Sequence, residues 1–365
     1  MTSTHADAPK APRDDTRGVS PSPDRPIRVI QWYTGDIAQH QIRLIHEHPT
    51  MELVGAFVHH ADKAGVDAGE IAGIGPIGVI ATADRDRVLA MDAECVLYNP
   101  PMERYDEIIP MLRSGKNVIS IIAGFHPHRR SAYPEIVKAC EVGFSSLFGT
   151  GLNPGLSYEL ALLASSVCCD VEAITIRTCE PQATLSPVFL EMFGFGKAES
   201  ELSAGASGVY AIFARTLHQI TDLLCDELGL PADDTAFSYE FEPATVDYDD
   251  KIVVRAGTMA GLLLRASTTH QGTPAATIEV RFLLGPEYVR DTWLEDAPSL
   301  GWIEVDVQGT PGSRITHEIV EKHGFTSAWA TGTKAVNSIP FVCAAPPGVL
   351  TPLDLPLAQM LPRHA

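Results

Sequence analysis

Apolar residues over the first part of the chain recur in two alternating patterns, one typical of buried strands and one typical of amphipathic helices. Ile27–Trp32 is a run rich in β-branched residues, and the apolar positions of Ile37–Ile45 follow at helical spacing. The alternation continues with strands predicted at Leu53–Val58, Glu94–Pro101, Asn117–Ile122 and Ser145–Phe148, and with helices predicted before Gly115 and over Pro134–Glu141. Strands that alternate with helices predict a parallel, doubly wound sheet over roughly the first 150 residues.

After Val171 the pattern changes to long β-rich runs joined by turns. Four runs predict the strands of an open mixed or antiparallel sheet, namely VEAITIRTCE, DDKIVVRAGTMAGLLLRASTTH, AATIEVRFLLG and WIEVDVQG. Between them, ASGVYAIFARTLHQITDLLCDELGL predicts one amphipathic helix that ends at Gly229. We therefore expect a disordered tail at 1–25, a first domain at 26–155, a second domain at 156–332, and a segment at 333–365 that packs back on the first domain.

The junction between the first strand and the first helix has an altered glycine pattern. A G-x-G-x-x-G fingerprint at such a junction lets the backbone approach a pyrophosphate. In this chain the three glycine places hold Tyr33, Gly35 and Ala38, of which only Tyr33 is a marked departure. The junction is either a dinucleotide site or only a buried strand and helix. As a site, it would consist of Tyr33, Thr34, Gly35, Asp36 and Ile37.

The composition is that of an ordinary globular protein and narrows the possible partners. Of the 365 residues, 45% are hydrophobic and 20% are charged, and the net charge of -19 at pH 7 disfavours nucleic acid and anionic membranes as partners. The seven cysteines form no C-x-x-C pair, which predicts reduced core thiols in the cytoplasm and no structural metal site. We expect no secretory signal and no membrane span, because no stretch is apolar enough for either.

Six segments together resemble the dihydrodipicolinate-reductase-like superfamily, and most closely its branch of 2,4-diaminopentanoate dehydrogenase and the native amine dehydrogenases. They are VIQWYTGDIA from Val29, DKAGVDAGEIAG from Asp62, SGKNVIS from Ser114, FGTGLNPG from Phe148, EMFGFG from Glu191 and AVNSIPFVCAAPPGVLTPLDLP from Ala335. The resemblance implies an α/β fold with an N-terminal Rossmann-type doubly wound parallel sheet and a second α+β domain with an open mixed sheet. It also implies a dimer contact on the second domain and a nicotinamide cofactor in the cleft between the domains.

The end of the second strand indicates which cofactor is used. An acid there would hold the ribose 2′-OH of NAD, whereas basic groups favour the 2′-phosphate of NADP. The strand is followed by His59 and Lys63, and no acid stands at its end, so we predict NADP. The alternative is that these residues merely begin a solvated loop.

Four further residues are candidate cofactor contacts. Tyr98 and Asn99 end a strand at the edge where ligands bind in this architecture, although a plain proline turn would explain the segment equally well. Asn153 lies at the domain junction, where its amide could match the nicotinamide carboxamide or simply form an Asn-Pro turn. Asn337 could also reach the carboxamide, or it could cap a helix.

The amine dehydrogenases that this chain resembles use a glutamate for proton transfer, and this chain has no glutamate at the matching position. They carry a glutamate shortly after the strand that matches GKNVIS, just before an aromatic-proline pair. In IIAGFHPHRR this pattern places Ala123 at the glutamate and His126 at the aromatic residue, with no acid nearby.

Four residues are candidate replacements for this glutamate. His126 and His128 titrate near neutral pH but could belong to a solvated loop. Glu103 follows the cofactor-facing turn but could simply favour a helix dipole. Glu180 ends a strand of the second domain and could face the cleft or be a charge at the sheet edge.

We therefore expect a homodimeric NAD(P)-dependent oxidoreductase that transfers hydride to a C=N or C=O group of a small amine, imine or ketone. One alternative is an alcohol or ketone dehydrogenase that uses His126 or His128 as its acid. The other is an NADP-binding sensor without turnover.

Overall fold

The computed structural model describes residues 22, 24–183, 185–205, 207–295, 301–320, 327–357 and 359–361. The tail that we expect to be disordered lies almost entirely outside these ranges.

The described residues form fourteen strands. In chain order they are β1 Ile27–Trp32, β2 Met51–Phe57, β3 Cys95–Tyr98, β4 Asn117–Ser120, β5 Ser146–Gly149, β6 Asp170–Pro181, β7 Asp234–Pro243, β8 Tyr248–Asp249, β9 Val253–Val254, β10 Met259–His270, β11 Thr273–Leu283, β12 Trp302–Thr310, β13 Ser313–Glu318 and β14 Gly348–Leu350.

Ten α-helices accompany the strands in the same part of the chain. They are α1 Asp36–Glu47, α2 Ala68–Ile71, α3 Arg85–Leu89, α4 Tyr105–Arg113, α5 Tyr133–Gly143, α6 Ser157–Ser165, α7 Pro187–Phe193, α8 Glu199–Gly205, α9 Ser207–Leu228 and α10 Ser327–Ala344.

The first sheet is parallel throughout, with the strand order β14-β5-β4-β3-β1-β2. Its strands are almost fully buried, and apolar clusters cover both of its faces. The predicted doubly wound sheet is confirmed. Because β1 lies between β2 and β3, the strand order reverses there and opens a crevice at the carboxyl ends of these strands, the usual ligand position in such sheets.

The predicted element boundaries differ from the observed ones by a few residues. The strand predicted to run to Ile122 ends at Ser120, because Ser120 Oγ accepts the N–H groups of Ile122 and Ala123 and the chain turns away from the sheet. Gly115 follows the end of α4 with a φ of 87°, which fits the predicted glycine cap.

The C-terminal segment completes the first sheet. Helix α10 packs against α1, and β14 pairs in parallel with β5 as the edge strand. The boundary that we predict at residue 332 falls inside α10.

The second domain is built on a mixed sheet with the strand order β13-β12-β6-β11-β10-β7. Within this sheet, as far as the described residues show, only the β6–β11 pair is parallel and the other neighbouring strands are antiparallel. Helices α6 and α9 pack against it, so the predicted open mixed sheet with one long helix is confirmed. Strands β8 and β9 form a small separate hairpin.

All seven cysteines are free, but they are not all core residues as the sequence predicts. Four are buried, Cys168 and Cys343 are half-buried, and Cys169 is exposed. The described residues contain no group of three or more potential metal ligands. None of the described helices is long and apolar enough to cross a bilayer.

Candidate active site and cofactor cleft

The turn after β1 leaves the first turn of α1 open to a ligand. Gly35 is the N-cap residue in an extended conformation, and no side chain caps the helix. A Cβ built on Gly35 meets no atom within 4 Å, so this position faces open space. Uncapped N–H groups with a positive dipole favour an anion, and this turn therefore fits a pyrophosphate.

A buried polar atom without a partner lies beside the same crevice. The Asn99 side chain donates from Nδ2 to Gln41 Oε1, whereas Asn99 Oδ1 is buried and has no hydrogen-bond partner among the described residues. An unsatisfied acceptor of this kind costs free energy, and a ligand donor would remove that cost. The turn before α1, together with Asn99 directly after β3, therefore fits a dinucleotide, whose hydroxyl or amide groups could donate to Asn99 Oδ1.

Lys63 reaches the phosphate turn from the loop after β2. Its Nζ donates to Thr34 O at 3.3 Å, which brings the ammonium group next to the start of α1. His59 is exposed at the end of β2, with its ring centroid 6.5 Å from that of Tyr33. Lys63 and His59 form a basic rim along the crevice at the carboxyl ends of β1 and β2.

Tyr98 does not face the crevice as a cofactor contact would. Its ring is fully buried, and its hydroxyl donates to Glu107 Oε2 at 2.7 Å. The side chain is therefore part of the packing between β3 and α4.

Glu180 and Asn153 meet where the two domains join. Asn153 Nδ2 donates to Glu180 Oε1 at 3.1 Å and to Thr178 Oγ1 at 2.9 Å, and Asn153 Oδ1 accepts from Ser157 Oγ at 3.3 Å. Asn153 lies just after β5, at the carboxyl edge of the first sheet, and Glu180 ends β6 of the second. The amide of Asn153 is committed to protein groups rather than left for a carboxamide.

The Glu180 carboxyl is suited to proton transfer near neutral pH. Burial raises the pKa of Glu180 to about 7, and the hydrogen bond from Asn153 opposes the rise because it favours the charged form. No described residue hydrogen-bonds Oε2, so that oxygen can face a ligand. By contrast, Ala123 is fully buried in an apolar cluster, so a glutamate in its place would require the surrounding side chains to rearrange.

The other three acid-base candidates lie in an interdomain clamp, which we define as Gln219, Asp222 and Asp226 of α9 and their partners in the first domain. Gln219 Nε2 donates to Glu103 Oε2 at 3.2 Å, and Gln219 Oε1 accepts the N–H of His126 at 3.2 Å. The ring of His126 is paired with Asp226 at 2.8 Å.

Two ion pairs extend the clamp along the same segment. Arg129 is paired with Asp222 at 3.3 Å, and Arg130 is paired with Glu103 at 3.1 Å. The His128 ring packs 4.0 Å from that of His126, and burial together with this neighbour lowers the pKa of His128. Glu103, His126 and His128 therefore have structural partners at the domain contact.

Asn337 lies in the middle of α10, so the helix-cap interpretation is wrong for this residue. It is half-buried on the helix that packs against α1, β3, β4 and β5. This position is compatible with a contact near the cofactor cleft.

Two residues that support Glu180 were not predicted from the sequence. Thr178 shares a face of β6 with Glu180, which the two-residue period of a strand could have indicated. Ser157 begins α6 and gives no signal in the sequence, because its contact with Asn153 depends on the turn between them.

Two family models match the chain. The model described as dihydrodipicolinate reductase, N-terminus, matches residues 29–146. The model described as 2,4-diaminopentanoate dehydrogenase C-terminal domain matches residues 158–364. These matches confirm the resemblance found from the sequence motifs.

Individual relatives agree with the family models. An amine dehydrogenase of Streptomyces virginiae is 25% identical over 359 residues, covering 92% of this chain and 98% of the relative. A 2,4-diaminopentanoate dehydrogenase of Acetoanaerobium sticklandii is 25% identical over 295 residues, covering 78% and 79%. The structure of amine dehydrogenase from Mycobacterium smegmatis superposes with a TM-score of 0.76 at 19% identity, covering 91% of this chain and 97% of that one. The last similarity establishes a shared fold.

Proposed function

Because the chain belongs to the 2,4-diaminopentanoate dehydrogenase family, we propose that it transfers hydride between NADP and the C–N bond of a small amine or imine. That it is an NAD(P)-dependent oxidoreductase follows from its family. The choice of NADP, the amine or imine substrate and the residue roles are our proposal. The single observation that carries it is the Glu180 carboxyl, which is held by Asn153 at the domain junction and has a pKa of about 7.

Glu180 is the proton donor and acceptor in this proposal. The nicotinamide, when bound, supplies or accepts the hydride. In the reductive direction the protonated carboxyl gives a proton to the leaving hydroxyl of a carbinolamine, so that water departs and a C=N bond forms. In the oxidative direction the carboxylate accepts a proton from the substrate ammonium group, releases it to solvent, and then accepts a proton from the water that attacks the C=N bond.

Asn153 positions the Glu180 carboxyl for these transfers. Its Nδ2 fixes Oε1 by a hydrogen bond, which directs Oε2 toward the substrate and stabilises the ionised form. The intact amide therefore keeps the pKa of Glu180 from rising further above neutral pH.

The basic rim supports NADP rather than NAD. Lys63 lies against Thr34 O, and His59 is exposed at the end of β2, where a 2′-phosphate would be held. The helix start supplies the pyrophosphate site, with Gly35 giving the backbone room to approach it.

The pH dependence of turnover tests the role of Glu180. We expect amine oxidation to rise with pH through about 7, because the basic form of Glu180 becomes populated there. Glu180→Gln should lower the rate by on the order of 10²–10⁴-fold and remove this inflection. Glu172→Gln is a matched control, since Glu172 is exposed on the same strand. Unchanged turnover in Glu180→Gln would contradict the assignment.

Titration with both reduced cofactors tests the cofactor choice. The wild type should bind NADPH more tightly than NADH, and Lys63→Ala should weaken NADPH binding more than NADH binding, because only NADPH carries the 2′-phosphate whereas both carry the pyrophosphate near Lys63. Lys138→Ala on α5 controls for the lost charge. If the wild type bound NADPH and NADH equally and Lys63→Ala changed neither affinity, Lys63 would not select for NADPH.

The histidine-based alternative loses support because the His126 ring is paired with Asp226 and packed against His128 within the clamp. A sensor without turnover would show itself as cofactor binding without reaction across amines, imines and ketones.

A further inference from the structure

Tyr33 stands where a glycine is expected and adopts the backbone conformation of one. Its φ is 72°, in the left-handed region that a bulky residue rarely occupies. Its N–H donates to Phe57 O at 2.9 Å, which ties the turn to the end of β2. A tyrosine is held in this conformation only if its side chain gains compensating contacts.

Those contacts come from a buried carboxylate on α4. The Tyr33 hydroxyl lies 3.1 Å from both oxygens of Glu107, a residue only 5% exposed. Glu107 also accepts from the Tyr98 hydroxyl at 2.7 Å and is paired with Arg104 at 3.1 Å. Each donor offsets part of the cost of burying this charge, so the carboxylate fixes the ring of Tyr33.

The fixed ring lies in the adenosine half of the cofactor crevice. Its centroid is 5.6 Å from that of Phe57 at the end of β2, 6.2 Å from that of Tyr98 at the end of β3, and 6.5 Å from that of the exposed His59. The Tyr33 side chain keeps part of its surface accessible. In parallel sheets the adenosine of a dinucleotide lies between the ends of the strands that correspond to β1 and β2.

We propose that Tyr33, locked by Glu107, is the platform on which the adenosine of the cofactor packs. Aromatic faces bind bases by stacking. Arg104, which is paired with Glu107, and Arg85 lie close enough to act electrostatically on the Tyr33 hydroxyl. The inference rests on the proposed NADP function and adds a contact that a glycine in this position cannot make.

Binding of adenosine 2′,5′-bisphosphate, measured by calorimetry on the full chain, tests the platform without any turnover. Tyr33→Gly should weaken binding about tenfold or more, although it relieves the positive φ and restores the glycine fingerprint. Tyr33→Phe keeps the ring but loses the bond to Glu107, so it should give a smaller loss. Tyr239→Phe removes a hydroxyl on β7 of the second domain and should bind like the wild type.

A second probe separates this inference from the proposed function. Reduced nicotinamide mononucleotide lacks adenosine, so Tyr33→Gly should bind it as the wild type does. Equal binding of the bisphosphate by wild type and Tyr33→Gly would overturn the platform while leaving NADP use intact. If the wild type bound neither NADPH nor the bisphosphate, the proposed function itself would fail.

Discussion

At the scale of single residues, Gly35 is a glycine that the fold itself does not require. We expect that only a bound ligand requires it. Its φ is -72°, which any residue adopts, and a Cβ there meets nothing within 4 Å. Gly35→Val should therefore fold with a melting temperature close to that of the wild type. It should lose NADPH binding, because the added methyl groups occupy the space of the pyrophosphate.

Gly35→Ala gives a graded control, since one methyl group should weaken binding less than the valine side chain does. Fluorescence titration with NADPH measures both variants, and differential scanning calorimetry checks their folding. Normal NADPH binding by Gly35→Val would mean that the phosphates lie elsewhere.

The residues of the site differ in how well the sequence predicts them. The turn from Tyr33 to Ile37 is local, so its pattern suggests a phosphate site, although the pattern alone is equally consistent with a buried strand and helix. The neighbours of Glu180 come from two domains, and its pKa depends on burial that no short segment encodes. The sequence therefore offers Glu180 as one of several candidates, and only packing distinguishes it from Glu103 and His126.

At the scale of elements, α9 connects the two domains. Gln219, Asp222 and Asp226 recur at spacings of three and four and so share one face of the helix. Asp222 contacts both domains. It is paired with Arg129 of the first domain, and it accepts a hydrogen bond from Thr268 Oγ1 of the mixed sheet at 3.0 Å.

Asp222→Ala should lower the free energy of unfolding by about 1–3 kcal/mol, because the ion pair with Arg129 is broken and the buried Thr268 hydroxyl is left with Thr221 Oγ1 as its acceptor. Arg129→Ala should cost less, because Arg129 is more than half exposed and the buried Asp222 keeps its hydrogen bond from Thr268 Oγ1. Urea unfolding of both variants measures the difference. Equal small losses would mean that the clamp contributes little to stability.

Elements with a clear local apolar pattern are predicted well, whereas an element that long-range packing places is not. Strands β1 to β5 and helix α9 are found within a few residues because their apolar positions repeat. Strand β14 has three residues, and its place beside β5 is decided by long-range packing of α10, so the sequence indicates only that the segment packs back on the first domain.

At the scale of the whole molecule, the mixed sheet carries a charge ladder across its strands. Its links are Arg177 with Glu304 and Glu279, and Arg265 with Glu279 and Glu240. The homodimer expected through the second domain stays a prediction.

The two domains have different parts in the proposed function. The first domain provides the crevice proposed for the cofactor, and the second domain provides Glu180.

This division predicts that cofactor binding and proton transfer can be separated by one substitution. Glu180→Gln should bind NADPH as the wild type does, because Glu180 lies outside the phosphate turn and the basic rim. Ammonia-dependent amination of a simple ketone such as cyclohexanone should fall by on the order of 10²–10⁴-fold, since the carbinolamine must lose water with the help of an acid. Reduction of a preformed cyclic imine should fall much less, because that substrate bypasses carbinolamine formation and dehydration.

The measurement is NADPH oxidation with both substrates in wild type, Glu180→Gln and the exposed control Glu172→Gln. An equal loss on ketone and imine would indicate that Glu180 orients the substrate rather than transfers the proton. If Glu180→Gln aminated the ketone at the wild-type rate, another group would be the proton donor. His126→Ala and Glu103→Gln would then be compared. Either variant should change stability, because both residues belong to the clamp. Only the variant that lacks the proton donor should lose amination selectively.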